Sequence, residues 1–272
     1  MSSAASGPAT PPPPTPTPLP TTPSLPEALR SLGLRRTAAD YADFLARATR
    51  SRWSPAVLLE ELVRAETQER ARRSLERRLS RARLGSFKPM ADFEWDWPTA
   101  IDRAAVERVF DLGFLTSGSN VILVASQGLG KTMLAKNVAH QAVLRGAQVL
   151  YVTAADLLLD LGGQETSRML ERRLRHYVEP RLLCIDEVGY LTYDNRAADL
   201  LFQVVSRRYE RRSILLTTNL AFKHWDTVFP NATCATALID RLIHHVEIIT
   251  ITGESYRRRE AELTQKARQG KA

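Results

Sequence analysis

The sequence predicts an α/β fold: a parallel sheet with helices on both faces, preceded by an all-helical N-terminal domain. Three observations carry this prediction. A glycine-rich turn, Gln127-Gly128-Leu129-Gly130, separates a short apolar run, Val121-Ile122-Leu123-Val124, from a helix-competent run, Met133 to Leu144. Downstream of that turn, short apolar runs alternate with longer amphipathic ones, the pattern of a covered parallel sheet. Upstream, an arginine-rich stretch has helical rather than alternating periodicity.

The N-terminal region divides by composition. Residues 1–26 hold ten of the fifteen prolines, including Pro11 to Pro14, and are expected to be a disordered tail with polyproline II character. Residues 27–84 are expected to form the helical domain. Thr37 with Asp40 resembles a capping box ahead of Tyr41, Phe44 and Leu45. Ser54 followed by Pro55 is an N-cap with proline at the first helical position, and that helix is expected to run past Leu79. Between Arg64 and Leu84 eight arginines face three glutamates, a net charge of +5. Two readings stand: i,i+4 pairing on a solvated face, or contacts to a nucleic-acid backbone. Residues 85–100 read as a linker whose Phe87, Phe93, Trp95 and Trp97 either clasp the next domain or lie near a bound base.

The main domain is expected over residues 101–254, with a basic tail over 255–272. Asp102 to Leu112 reads as a helix. After the helix that follows the glycine turn, Gln148–Val152, Arg181–Ile185, Ser213–Thr217 and Val246–Ile251 read as strands. Ala154–Leu161, Leu170–Tyr177, Asn195–Arg212 and Ala235–Ile243 read as helices between them.

Of the 272 residues 44% are hydrophobic, enough for a sizeable core. The net charge of +8 favours a polyanionic partner, nucleic acid before others. Cys184 and Cys234 stand in no CxxC or Cys/His cluster, so zinc and a disulfide framework are not indicated. His244 and His245 have no acidic or cysteine neighbour in sequence that argues for a metal. No apolar run approaches the ~20 residues that span a bilayer, and the N-terminus lacks signal-peptide regions. A cytoplasmic protein without membrane attachment is expected.

The glycine turn belongs to Ala125-Ser126-Gln127-Gly128-Leu129-Gly130-Lys131-Thr132, which fits the P-loop pattern G-x-x-x-x-G-K-[ST] with Ala125 at its first position. The glycines let backbone N–H groups turn around a polyphosphate, and the following helix offers its N-terminal dipole to the same anion. Ser126, Gln127, Gly128, Leu129, Gly130, Lys131, Thr132 and Met133 are therefore the expected binding residues for ATP. Lys131 is expected to reach the β- and γ-phosphates, and Thr132 to hold Mg2+.

Leu182-Leu183-Cys184-Ile185-Asp186-Glu187 follows about fifty residues later. A buried strand delivers Asp186 at its C-terminal end, where such sheets bind ligands. Asp186 is the second expected Mg2+ ligand, and Glu187 the group that polarises the attacking water. Leu215-Leu216-Thr217-Thr218-Asn219 ends the next strand in polar residues. Asn219, with Thr218 second, is placed to sense the γ-phosphate; the alternative is turn chemistry. Arg241, on a short helix after it, is a candidate finger for a neighbouring subunit's phosphate.

From Ala125 to Arg259 the sequence resembles the IstB-like ATP-binding proteins, helper ATPases of insertion sequences, which are close to DnaC helicase loaders in the AAA+ class. The resemblance rests on Gly128-Leu129-Gly130-Lys131-Thr132, Val152 to Leu157, Ile185 to Leu191, Ala198 to Gln203, Thr218-Asn219-Leu220, Asp240 to His245 and Gly253 to Arg257. It extends to the helical region from about Leu25. It implies an AAA+-type P-loop ATPase that assembles as a homo-oligomer on double-stranded DNA, with little base specificity. Such a protein hydrolyses ATP and promotes transposition beside a cognate transposase. It strengthens Arg241 as the trans-acting finger. Ala125, and Ser126-Gln127 in place of a proline-containing stretch, depart from the family pattern and put full ATP affinity in question. Three other readings stand: a DnaC-like helicase loader, a DNA-binding module with a vestigial nucleotide site, and a small-molecule P-loop kinase. The last is disfavoured by the Asp186-Glu187 pair and the basic helices. Arg257, Arg258 and Arg259 either touch DNA or a neighbour's nucleotide, or lie on a solvated helix.

Overall fold

The structure is a computed structural model in which residues 23–190, 192–230, 232–256 and 258–260 are described. The proline tail as far as residue 22, Leu191, Arg257, the end of the C-terminal tail and the Cys234 side chain lie outside the described residues. The chain separates into two compact units, one ending at Arg72 and one beginning at Arg73.

The first unit is helical: α1 (Leu25–Ser31), α2 (Arg35–Ala39), α3 (Tyr41–Arg50) and the start of α4 (Pro55–Ala82). Pro55 opens α4, and the Ser54 hydroxyl accepts the Val57 N–H at 3.3 Å, the capping expected from Ser-Pro. Thr37 is not the cap the sequence suggests. It lies buried inside α2, where its N–H donates to the Glu66 carboxylate at 2.7 Å, and α3 begins after Asp40 instead. A charge-assisted bond to a residue 29 positions away overrides the local pattern. Phe44 meets Trp53 edge to face at 5.8 Å, closing α3 on the turn before α4. Among the arginines of α4, Arg64 and Arg72 pair with Glu61 and Glu69 one turn earlier.

The second unit holds a six-stranded sheet in the order β1-β6-β2-β5-β4-β3. Its strands are β1 (Ala100–Ile101), β2 (Asn120–Ala125), β3 (Val149–Thr153), β4 (Leu182–Val188), β5 (Ser213–Thr218) and β6 (Val246–Thr252). All neighbours pair in parallel except β1, which runs antiparallel along β6. The sequence did not announce this edge strand, because two residues carry no periodicity. The Trp97 indole N–H donates to the Glu254 carbonyl at 2.9 Å and brings the linker back along β6. The helices are α5 (Arg103–Phe110), α6 (Phe114–Ser117), α7 (Lys131–Leu144), α8 (Ala154–Gly162), α9 (Ser167–Val178), α10 (Asn195–Arg208) and α11 (Ala232–Ile243).

Successive residues of β2 serve opposite faces. Val121 and Leu123 join a core with Leu134, Val138 and Val143 of α7, while Ile122 joins one with α8, α9, α10 and α11. After Asn120 this strand is thus apolar at every position, which is why Val121 to Val124 reads as a continuous run. The helix expected over Asn195–Arg212 stops at Arg208, and Glu210 turns left-handed at φ +57°. Arg208 is fully buried and directs its two Nη groups to carbonyls at the end of α9 and the start of β5. No helix among the described residues is long and apolar enough to cross a membrane.

Candidate nucleotide site

The carboxyl ends of β2, β4 and β5 meet at one edge of the sheet. Between them and the linker lies a cavity of about 410 Å3, lined by Gly128, Lys131, Thr132, Glu187, Asn219 and Phe93, among others. The sequence-separated motifs are therefore brought together. Gly128 and Gly130 take φ +79° and +86°, a region that costs side-chain-bearing residues about 1–2 kcal/mol. Ala125 is different: it ends β2, is buried, and pairs in register with Ile251. An extended strand residue needs no glycine, so the departure at the first position leaves the turn intact.

Both glycines also face close neighbours. A Cβ on Gly128 would lie 2.1 Å from the Ser255 hydroxyl, and one on Gly130 would lie 2.8 Å from the Phe93 ring. The loop is therefore packed from both sides, by the linker and by the segment after β6. Lys131 Nζ donates to the carbonyls of Ala125 and Ser126 at 2.6 and 2.8 Å.

Asp186 is buried and carries three hydroxyl donors. Thr132 donates at 3.0 Å, Tyr151 at 2.5 Å, and Thr217 through a short bond. Burial, and then the Asp186 charge, push the Tyr151 phenol well above its ordinary range, so it stays a donor. The strand irregularity beside it is a bulge: Ile185 pairs with Leu216 and Val188 with Thr218, leaving Asp186 and Glu187 opposite Thr217 alone. Glu187 is exposed there at φ +63°.

The Asp186–Thr132 oxygen pair and the glycine turn fit a magnesium-bound polyphosphate: two hard oxygen donors beside a cradle of backbone N–H groups. When bound, Mg2+ would neutralise phosphate charge at these two oxygens.

The family model described as IstB-like ATP binding protein matches residues 27–264. The chain belongs to this family. A relative named as the ATP-binding protein of insertion sequence IS5376 in Geobacillus stearothermophilus is 36% identical over 202 residues, 74% of this chain and 80% of its own length. One named for IS21 in Pseudomonas aeruginosa is 36% identical over 221 residues, 81% of this chain and 78% of its own. Among solved structures, DnaI shares the fold with a TM-score of 0.51 at 19% identity, covering 62% of this chain and 92% of that one. The architecture is thus a P-loop α/β fold shared with DnaI, in a chain of the IstB-like ATP-binding family whose relatives above are named for insertion sequences.

Within this IstB-like site, Asn219 lines the cavity while Thr218 does not. The Thr218 hydroxyl is buried and holds the Leu220 N–H at 3.1 Å, which is turn chemistry. Arg241 is not among the cavity residues; its guanidinium stacks 4.5 Å from the Phe202 ring of α10 and donates to the Ala237 carbonyl. Arg259 is engaged within the chain, paired with Glu94 at 2.7 Å and stacked on Trp97.

Sequence reading missed Tyr151, Thr217, Ser255 and Tyr256. Tyr256 donates its N–H to the Gly128 carbonyl at 3.0 Å and its hydroxyl to Glu94 at 2.8 Å. A polar atom on a buried strand was the available signal for Tyr151 and Thr217. For the segment after β6 the resemblance marked Gly253 to Arg257, but no local pattern placed it over the loop, because it meets the linker some 160 residues away in sequence.

Proposed function

We propose that the protein is an ATPase that binds ATP with Mg2+, assembles as a homo-oligomer on double-stranded DNA and promotes transposition beside a cognate transposase. The observation that carries this reading is the convergence of Lys131, Thr132, Glu187 and Asn219 on one cavity, with buried Asp186 behind it accepting the Thr132 hydroxyl, in a chain that belongs to the IstB-like ATP-binding family.

Lys131 exchanges its two carbonyl partners for the β- and γ-phosphate oxygens. Thr132 and Asp186 hold Mg2+. Glu187 takes a proton from the attacking water, and Asn219 orients that water against the γ-phosphate. Ser126, Gln127, Leu129 and Met133 supply loop and helix backbone around the phosphates. Arg241 serves a neighbouring subunit's γ-phosphate as a finger; its place outside its own cavity supports a contact in trans over one in cis. The γ-phosphate is then gripped from two subunits, and hydrolysis loosens the assembly.

The exposed arginines Arg70, Arg77, Arg81 and Arg83 supply sequence-independent phosphate contacts. Residues 27–84 are the DNA- and partner-binding domain, 85–100 the linker, 101–254 the ATPase domain and 255–272 a basic tail.

The test is ATP turnover with and without duplex DNA, for the wild type and Glu187→Gln, with particle size measured in the same samples. ATP and DNA together are expected to yield large assemblies, trapped by Glu187→Gln while turnover stops. A wild type that neither hydrolyses ATP nor changes size with it would leave only a DNA-binding helper. Capture of a replicative helicase in preference to the transposase would replace transposition with helicase loading.

A further inference from the structure

At the end of the sheet away from the nucleotide site, two turns lie side by side. One, after α10, carries Glu210; the other, between α11 and β6, carries His244 and His245. Sequence offers the two histidines no acidic partner, but the fold supplies one from more than thirty residues upstream. The Glu210 carboxylate lies 3.4 Å from His244 Nδ1 and 4.0 Å from His245 Nε2, and the three ligand atoms fall within 4.8 Å of one another. Donors bound at zinc distances in a tetrahedron are separated by about 3.4 Å.

The backbone beneath this group is held in place. Asn120, buried at the start of β2, accepts the Ile214 N–H at 2.9 Å and donates to the Leu242 carbonyl at 3.0 Å. Its own N–H donates to the His245 carbonyl at 2.7 Å. One residue therefore ties the second turn, and the start of β5 that follows the first, to the same strand. Glu210 is left-handed, and its carbonyl packs at 3.6 Å from where a Cβ on Gly118 would stand. The histidines follow directly on α11, whose C-terminal dipole favours a cation.

We infer that Glu210, His244 and His245 form a binding site for one divalent transition-metal ion of the zinc class, separate from the Thr132–Asp186 pair. Two imidazoles and one carboxylate select zinc, nickel or copper over magnesium and calcium, which prefer oxygen donors. Three protein ligands leave a position for water. The Tyr209 hydroxyl, 2.8 Å from His244 Nδ1, gives up that contact when the metal binds. The metal would join the ends of α10 and α11, the two helices between which Arg241 stacks on Phe202.

The experiment is calorimetric titration of Zn2+ into the untagged full chain after chelator treatment, in excess Mg2+, repeated with Co2+ by visible absorption. One equivalent is expected to bind, with a Co2+ spectrum showing nitrogen ligation. His245→Ala and the His244→Ala/His245→Ala pair are expected to weaken it by about tenfold or more, with circular dichroism unchanged because all three side chains are about half exposed. Asp186→Asn is expected to bind Zn2+ as the wild type does. Absence of stoichiometric binding, binding that survives the double substitution, or binding lost only in Asp186→Asn would each overturn the site.

Discussion

The Thr217 hydroxyl accepts the Glu187 backbone N–H at 3.0 Å and donates to the carboxylate of Asp186 next to it. One buried side chain on β5 thereby sets the position of both acids on β4. Thr217→Val keeps the shape and removes both bonds. Leaving such buried groups unpaired costs about 1–3 kcal/mol, which in the reaction step is roughly tenfold to a hundredfold in rate. We expect turnover to fall by that amount with ATP affinity little changed, and Thr217→Ser to recover most of it. Steady-state hydrolysis alongside nucleotide-binding titration separates the two quantities. Equal loss in Thr217→Ser would remove the hydroxyl from the explanation.

Glu187 sits left-handed at the bulge, at φ +63°, where a Cβ is unfavourable. Glycine would relieve that strain. Glu187→Gly is expected to raise stability by roughly 0.5–1 kcal/mol while abolishing turnover, the trade expected where strain serves function. Denaturant melts compared with Glu187→Gln, which keeps the Cβ, decide the matter. Equal stability of the two variants would mean that the conformation carries no strain.

Among the described residues Arg208 pairs with no carboxylate; its two Nη groups donate to the carbonyls of Tyr177, Val178 and Pro180, each at 2.9 Å, and of Ser213. Burial, and then the charge of Arg212, push its pKa down to about 9, so it remains charged at neutral pH. Arg208→Met strands these acceptors in the core. A loss of about 3–5 kcal/mol is expected, seen as a melting temperature lowered by roughly 10 °C. A shift within a degree or two would show that water replaces the guanidinium.

His176 on α9 is pushed below its ordinary pKa, first by burial and then by the charges of Arg173 and Arg83. The unfolded chain therefore takes up this proton first. Stability is whole above pH 6.5 and falls as the pH drops from there through the lower folded value. Thermal melts between pH 7.5 and 5 are expected to decline less for His176→Gln than for the wild type. Parallel declines would assign the acid sensitivity elsewhere.

Much of the site was legible in sequence because its chemistry is local. The turn from Gly128 to Thr132, and Asp186 with Glu187, need only a strand end and a few fixed residue types, and the observed strands carry them where the apolar runs placed them. The helical region was legible as helix, but its caps were not uniformly so. Ser54 caps α4 as its neighbour Pro55 suggests, whereas Thr37 answers to Glu66.

By itself the sequence determined the alternation of strands and helices, the nucleotide motifs and the family, because periodicity and short motifs are properties of neighbouring residues. The tertiary structure alone decided four things. It set β1 antiparallel against β6, folded Ser255 and Tyr256 over the P-loop, gathered three hydroxyls on Asp186, and brought Glu210 to His244. Each joins residues far apart in the chain, and such contacts follow from how packed layers meet, which no local pattern encodes.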